Sequence, residues 1–380
     1  VTDGWSNPSG LNVEDVTLSV VAGDEDVNLA ANNFNATTTA VTLTGGNTLS
    51  SFTTTTTPLL ATLKTFNASA FGGDVVLAVA NNNLDDTVTI TGGASTKDSV
   101  TSVVTAAGTD KPKLTGIETL KIDVDDANNS SVIAGVIDLS KTTGLTTVEA
   151  SAGADDTITI DKAGTQAIKA IKLDGASSVL EVKLSDVTGS SDAATIQLAA
   201  VAGQAGHIAD GAQLKTTDIE TVTVKISNND ESISLANLSM ATAGKTMKLV
   251  ATGNKALTVS ALNADVTTID ASGMGDGGSF VQNGRSSTAV ASYTGSDGND
   301  TFQMKNSDDA IAAGAGTSDT LVVTKNLILG GIKVDLSKTG DQVTTFNGNS
   351  NTVVQSGFEN VDLSAITGSF GSEVTAIKGG

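Results

Sequence analysis

Short runs in which apolar and polar residues alternate recur along the whole chain. Examples are "DDTVTITGG" with Val88 and Ile90, "ETLKIDV" with Leu120, Ile122 and Val124, "DDTITID" with Ile158 and Ile160, and "ETVTVKIS" with Val222, Val224 and Ile226. A period of two over so few residues means strands with one buried face. The runs are separated by "GGNT", "NNNLDD", "SNND" and "GDGG", where a positive φ or a side-chain-capped turn is cheap. Helix signals are sparse, the best being one or two turns in "GQAGHIADGAQLK", 203–215. The pattern predicts an all-β fold, either an irregular parallel β-solenoid of β-roll-like stacked modules or tandem β-sandwich domains. Both read as short alternating strands.

The core such a chain can build is unusual. Only 3% of its residues are aromatic, so Val, Ile, Leu, Ala and Thr supply the packing, which suits thin, regularly stacked β-layers. Laid over itself, the chain shows three families of similarity. The first is "LKTFNASA" (63–70), "LTTVEASA" (145–152) and "VTTIDASG" (266–273). The second is "GIETLKI" (116–122), "DIETVTV" (218–224) and "GFENVDL" (357–363). The third is "IDLSKTTG" (137–144), "VDLSKTG" (334–340) and "VDLSAITG" (361–368). Glu118, Glu220 and Glu359 are unevenly spaced, which describes related modules with loops between them and not coils of fixed length. The expected division is an N-terminal β-module over 1–110, a central one over 111–285, and a roll-like module over 286–380 that continues into a C-terminal β-segment.

With 42 acidic against 21 basic residues the net charge is −21, which argues against nucleic acid or an anionic membrane as partner and for cations. Arg285 is the one arginine, and the basic residues read as solubilising lysines. With no cysteine, disulfides and thiolate chemistry are excluded; with one histidine, His207, so is a two-histidine zinc site. Trp5 and Tyr293 are too few to furnish the aromatic platforms of a sugar cleft. The expectation is therefore a protein that is not an enzyme. The threonine run "FTTTTTP" (52–58) reads as a polar loop or strand edge, and the N-x-S/T matches at Asn35, Asn67 and Asn299 carry no weight in a chain so rich in these residues. The opening "VTDGWSNPSG" has neither methionine nor a signal pattern, and the chain reads as an excised fragment.

One stretch carries chemistry: "TGSDGNDTFQMKNSDDAIAAGAGTSDTLVV", 294–323. The nonapeptide G-G-x-G-x-D-x-U-x makes a calcium-binding roll, its glycines turning the backbone so that carbonyls converge, its aspartate adding charge and its large apolar residue entering the core. Gly295, Gly298, Asp300 and Phe302 match, Asp297 lies within the turn, and Ser296 departs. Nine residues on, Asp309 and Ile311 keep the pattern beside Asp308 without glycines; the next turn restores Gly314 and Gly316 and has one extra residue before Asp319, with Leu321 as its buried position. Turns on one side of a roll recur every eighteen residues, which pairs Asp300 with Asp319 and puts Asp309 on the other side. One calcium site between Asp300 and Asp319 is predicted. The plain alternative is that Asp and Gly sit here because turns favour them. Corners at Asp85 and Asp86, and at Asp155 and Asp156, are weaker metal candidates and read better as solvated aspartates at strand starts.

On "GSDGNDTF", the "GIETLKI" and "TTIDASG" motifs and the bias toward Thr, Ala, Gly and Val, the chain resembles the RTX-type surface-layer proteins of Gram-negative bacteria. The resemblance implies a protein that leaves by type I secretion and sits on the outer cell surface. It also implies elongated β-solenoid arms that self-associate through calcium into a two-dimensional lattice, without membrane insertion. Cell-surface polysaccharide is an implied further partner through parts not in this chain. The chain has fewer clean nonapeptides than such proteins, which leaves the number of ions open, and the terminal "KGG" could open another one. The alternative is an RTX-type secreted adhesin or other ligand-binding surface protein.

Overall fold

The computed structural model describes residues 13–20, 26–29, 34, 36–54, 61–125, 131–175, 177–199, 208, 211–226, 232–241, 246–263, 265–275, 277–286, 289–324, 331–366 and 376–378. They fall into two compact units, one of residues 1–173 with 178–186, the other of 174–177 with 187–380. His207, Trp5, Asn35 and most of "FTTTTTP" lie outside the described residues, as does the first half of the expected helix. Its end, "AQLK", begins the strand Ala212–Thr217.

In the first unit a column of parallel strands runs from Asp15–Val20 through Ala40–Gly45, Thr65–Phe71, Thr89–Thr91 and Lys113–Thr115 to Thr142–Thr143. Val16, Val41, Phe66, Ile90 and Leu114 stack in register, one per turn. Further parallel columns carry Ser99–Val104, Thr119–Val124 and Thr147–Ala152, and Ala134–Asp138, Thr157–Ala163 and Val179–Leu184. In the second unit the chain alternates between two parallel columns. One holds Thr221–Ile226, Met247–Gly253, Val266–Met274, Ser292–Thr294 and Ala310–Ala312; the other holds Ile233–Ala241, Leu257–Val259, Phe280–Gln282, Thr301–Met304 and Thr320–Val323. Each unit is a parallel β-solenoid, and the antiparallel sandwich alternative is ruled out by these parallel ladders. A small mixed sheet of Ile332–Asp335, Val343–Phe346, Asn349–Ser350 and Ala376–Lys378 is built from an insertion into the last turn and from the C-terminal strand.

The core lies between the columns. In Thr119–Val124 the residues Leu120, Ile122 and Val124 are buried while their neighbours are not, and Thr221–Ile226 repeats this with Val222, Val224 and Ile226. Stacking like on like makes each rung a template for the next, so that Phe280 and Phe302 lie face to face with centroids 5.8 Å apart.

The similarity families acquire physical meaning here. Members of the first are strands with paired inward residues, Phe66 with Ala68, Val148 with Ala150, Ile269 with Ala271. The third ends strands: Asp138, Asp335 and Asp362 each accept, through Oδ1, the N–H of the serine two residues on, a side-chain-closed turn that stops the ladder.

Candidate metal centre

The strands Thr301–Met304 and Thr320–Val323 pair with Thr301 opposite Thr320, which brings Asp300 and Asp319 to the same corner of successive turns. Asp309 precedes Ala310–Ala312 in the other column, where Tyr293 stacks on Ile311 eighteen residues later. Both Asp300 and Asp319 are fully buried. A carboxylate is buried only when hydrogen-bonded or paired, and here the partners are backbone amides of the adjoining turn. Phe280 N–H donates to Asp300 Oδ1 (2.5 Å), Asp300 N–H donates to Asp319 Oδ1 (2.6 Å), and Asp319 N–H donates to Glu359 Oε2 (2.8 Å). Three acids thus form a ladder, each closing the open amide of the corner one turn earlier.

The two aspartates differ in what their second oxygen meets. Asp300 Oδ2 accepts Ser296 N–H at 2.6 Å, and the Ser296 hydroxyl lies within 3.0 Å of both Asp300 oxygens while it accepts Gly298 N–H. Ser296, the one departure from the nonapeptide, therefore fills the corner with a hydroxyl that serves Asp300. Asp319 has no such neighbour, and its Oδ2 is buried with no hydrogen-bond partner among the described residues. Burial, with the charges of Asp300 and Glu359 nearby, pushes the Asp319 carboxyl up to about 6; burial raises Asp300 too, against its hydrogen bonds from Phe280 and Ser296.

Glycine is needed at this corner for space. A Cβ on Gly316 would stand 2.5 and 2.8 Å from the two Asp319 oxygens and closer still to the Gly298 carbonyl oxygen. Three oxygens therefore converge on the bare face of Gly316. Gly295 shows the same arrangement, its missing Cβ facing the Ala313 carbonyl and, at 2.7 Å, Asp300 Oδ2. Gly298 and Gly314 abut carbonyls of neighbouring turns, those of Gly278 and Ser296. Asn299 stitches the two turns together, its side-chain oxygen accepting Thr317 and Ser318 N–H.

These donors fit a small hard cation at Asp319: an unmatched buried carboxylate oxygen and a convergent carbonyl, with the charge of Glu359 close by. Among the described residues no three acidic or histidine side chains form a metal-holding group, so the rest of a calcium shell of six to eight oxygens would come from carbonyls and water. Asp297 and Asp308 are exposed on their turns. Asp309 is buried, and its oxygens serve Arg285 and backbone amides.

At the other corners, Asp85 and Asp86 are at least partly exposed, as is Asp155, which takes a φ of 66°. Asp156 is not a solvated strand-start residue: it is fully buried, because its Oδ1 accepts Ile133 N–H of the preceding turn. Nor is Arg285 a solubilising cation, being 3% exposed.

Sequence reasoning missed Asp98 and the role of the second similarity family. Glu118, Glu220 and Glu359 accept the N–H of Asp98, Asp192 and Asp319 at 2.9, 2.8 and 2.8 Å, one corner device used three times. Asp98 itself accepts Val75 and Gly93 N–H, and burial, with Glu118 and Asp74 adding to it, pushes its carboxyl up to about 6. "GGASTKD" in 92–98 was the available signal, blurred by one residue too many between glycine and aspartate. Comparison with protein-family models, curated proteins and solved structures yields no match to this chain.

Proposed function

We propose that this chain is a structural, non-catalytic component of a bacterial surface layer that takes calcium at the Asp319 corner and associates with copies of itself into a two-dimensional lattice. The observation that carries the reading is the buried, unmatched Asp319 Oδ2 beside the Gly298 carbonyl, in register with the Asp300 corner. An oxygen left so is expensive unless something positive answers it. The solenoid supports the reading because each rung matches its neighbours, so ordering one corner by an ion stiffens the turns stacked on it. The charge of −21 supports cation bridging between copies, and the RTX resemblance supports type I secretion to the outer surface. Among the described residues no helix is long and apolar enough to cross a membrane.

The test is electron microscopy of the purified protein with calcium and with chelator. Ordered sheets that form only with calcium uphold the reading. Single particles in both conditions contradict the lattice and turn the assignment to the secreted adhesin.

A further inference from the structure

The corner opposite the candidate metal centre is closed by the chain itself. Asp309 accepts Ala291 N–H through Oδ1 (2.8 Å), and Lys305 and Asn306 N–H through Oδ2 (2.8 and 2.9 Å). This is the pattern of Asp300: one oxygen on an amide of the preceding turn in its column, the other on an amide four residues upstream. At Asp309 a guanidinium joins them, Arg285 Nη1 donating to Oδ2 at 2.7 Å with both side chains wholly buried.

Arg285 stands where a leucine is expected. Leu238 bridges to Leu262 and Leu262 to Arg285, so all three occupy the same inward position in successive turns. The first two are buried at 0% and 1%. A third leucine would extend the column. Instead the chain buries a charge over the Tyr293 ring, 5.5 Å from its centroid, with Nη2 donating to the Ala289 carbonyl and Nε left without a hydrogen-bond partner among the described residues. A buried ion pair is no better for stability than well-packed apolar residues, so packing does not account for this arginine. The carboxylate it answers does: Asp309 closes three amides and sets its Oδ2 against the guanidinium.

We infer that Arg285 is a tethered cation, supplying at the Asp309 corner the positive charge that a calcium ion supplies at the Asp319 corner. The inference rests on the calcium reading of Asp319. It makes the Asp309 corner a latent divalent-cation site, occupied by the chain's own guanidinium and opened by removing it. A cavity of about 470 Å³, lined in part by Asn237, Ser239, Asn263 and Ser286, borders Arg285.

The test uses the full chain with Asp319→Asn to silence the first corner, adding Arg285→Met, and then Asp309→Asn as well. Melting and calorimetric calcium titration are compared in chelator and in about 10 mM calcium, above the ~0.1–1 mM range of extracellular sites. D319N alone should melt identically in both. R285M/D319N should gain roughly 2–8 °C with calcium, and R285M/D309N/D319N should lose that gain. An R285M/D319N variant indifferent to calcium overturns the inference. If that variant does not fold in chelator, recovery of its circular dichroism on adding calcium upholds the inference and no recovery overturns it. A wild type blind to calcium beside an R285M/D319N variant that responds refutes the Asp319 reading alone.

Discussion

Gly316→Ala separates the metal account from a merely structural one. The new methyl carbon would enter the three-oxygen cradle, 2.5 and 2.8 Å from the Asp319 oxygens and against the Gly298 carbonyl. Backbone cannot retreat from it as a flexible side chain could. Overpacking of this kind costs about 1–3 kcal/mol. Gly275→Ala is the control: nothing lies within 4 Å of a Cβ there, and its φ is not positive. That change should be neutral or stabilise by about 0.4–1 kcal/mol through the unfolded chain. Urea unfolding should therefore separate the two variants by roughly 1–4 kcal/mol in chelator. Calcium supplies the second readout. A site with a Kd of about 0.1–1 mM stabilises the native state by roughly 1.4–2.7 kcal/mol at 10 mM ion. G275A should keep that increment and G316A should lose it, since the methyl displaces the ion. If G316A keeps the full increment, the Gly316 cradle is not where calcium binds; if it matches G275A in chelator, the crowding argument itself fails.

Three further outcomes follow from the corners. Glu220→Ala should cost about 1.5–3 kcal/mol, the range for a hydrogen bond to a charged group, because Glu220 is 92% buried and Asp192 N–H loses its acceptor; denaturant titration of this variant against Lys225→Ala checks it. Ser296→Ala should destabilise in chelator by about 1–3 kcal/mol, since Asp300 and Gly298 N–H each lose a partner, which thermal unfolding reads directly. Asp98 sets a pH dependence. Its carboxyl titrates near 6 when folded against an ordinary 3.8, so between those values the native state holds a proton that the unfolded chain releases. Stability from this group is present below about pH 4 and lost as pH rises through 6, a change of roughly 3 kcal/mol. The difference in unfolding free energy between wild type and Asp98→Asn should fall by that amount from pH 4 to 8, and a flat difference would show Asp98 ionised throughout.

The strands were legible because burial on one face writes itself into neighbours two apart, as in Leu120, Ile122 and Val124. Parallel stacking was legible only as one of two alternatives, since strand patterns do not say which strands pair. The eighteen-residue rule holds from Tyr293 to Ile311, where the turns have no insertions, and stretches to nineteen from Phe302 to Leu321. Elsewhere it fails: Val148 lies on Leu120 twenty-eight residues earlier, and Leu321 on Val361 forty residues later, because loops leave the coil without disturbing the rungs. The glutamates of "GIET" and its relatives were visible as a repeat, but their role was not, since the amide each accepts lies 20, 28 or 40 residues upstream. Arg285 was visible only as a count. Its burial depends on a leucine column and on Asp309, 24 residues away, and neither leaves a local pattern.

The most direct measurement is calorimetric titration of calcium into the wild-type chain and into Asp319→Asn. Saturable binding to the wild type at about 0.1–1 mM, abolished by losing the buried, unmatched carboxylate oxygen of Asp319, is the predicted result. Binding that D319N retains at wild-type strength, or a wild type that takes up no calcium at 10 mM, contradicts the account.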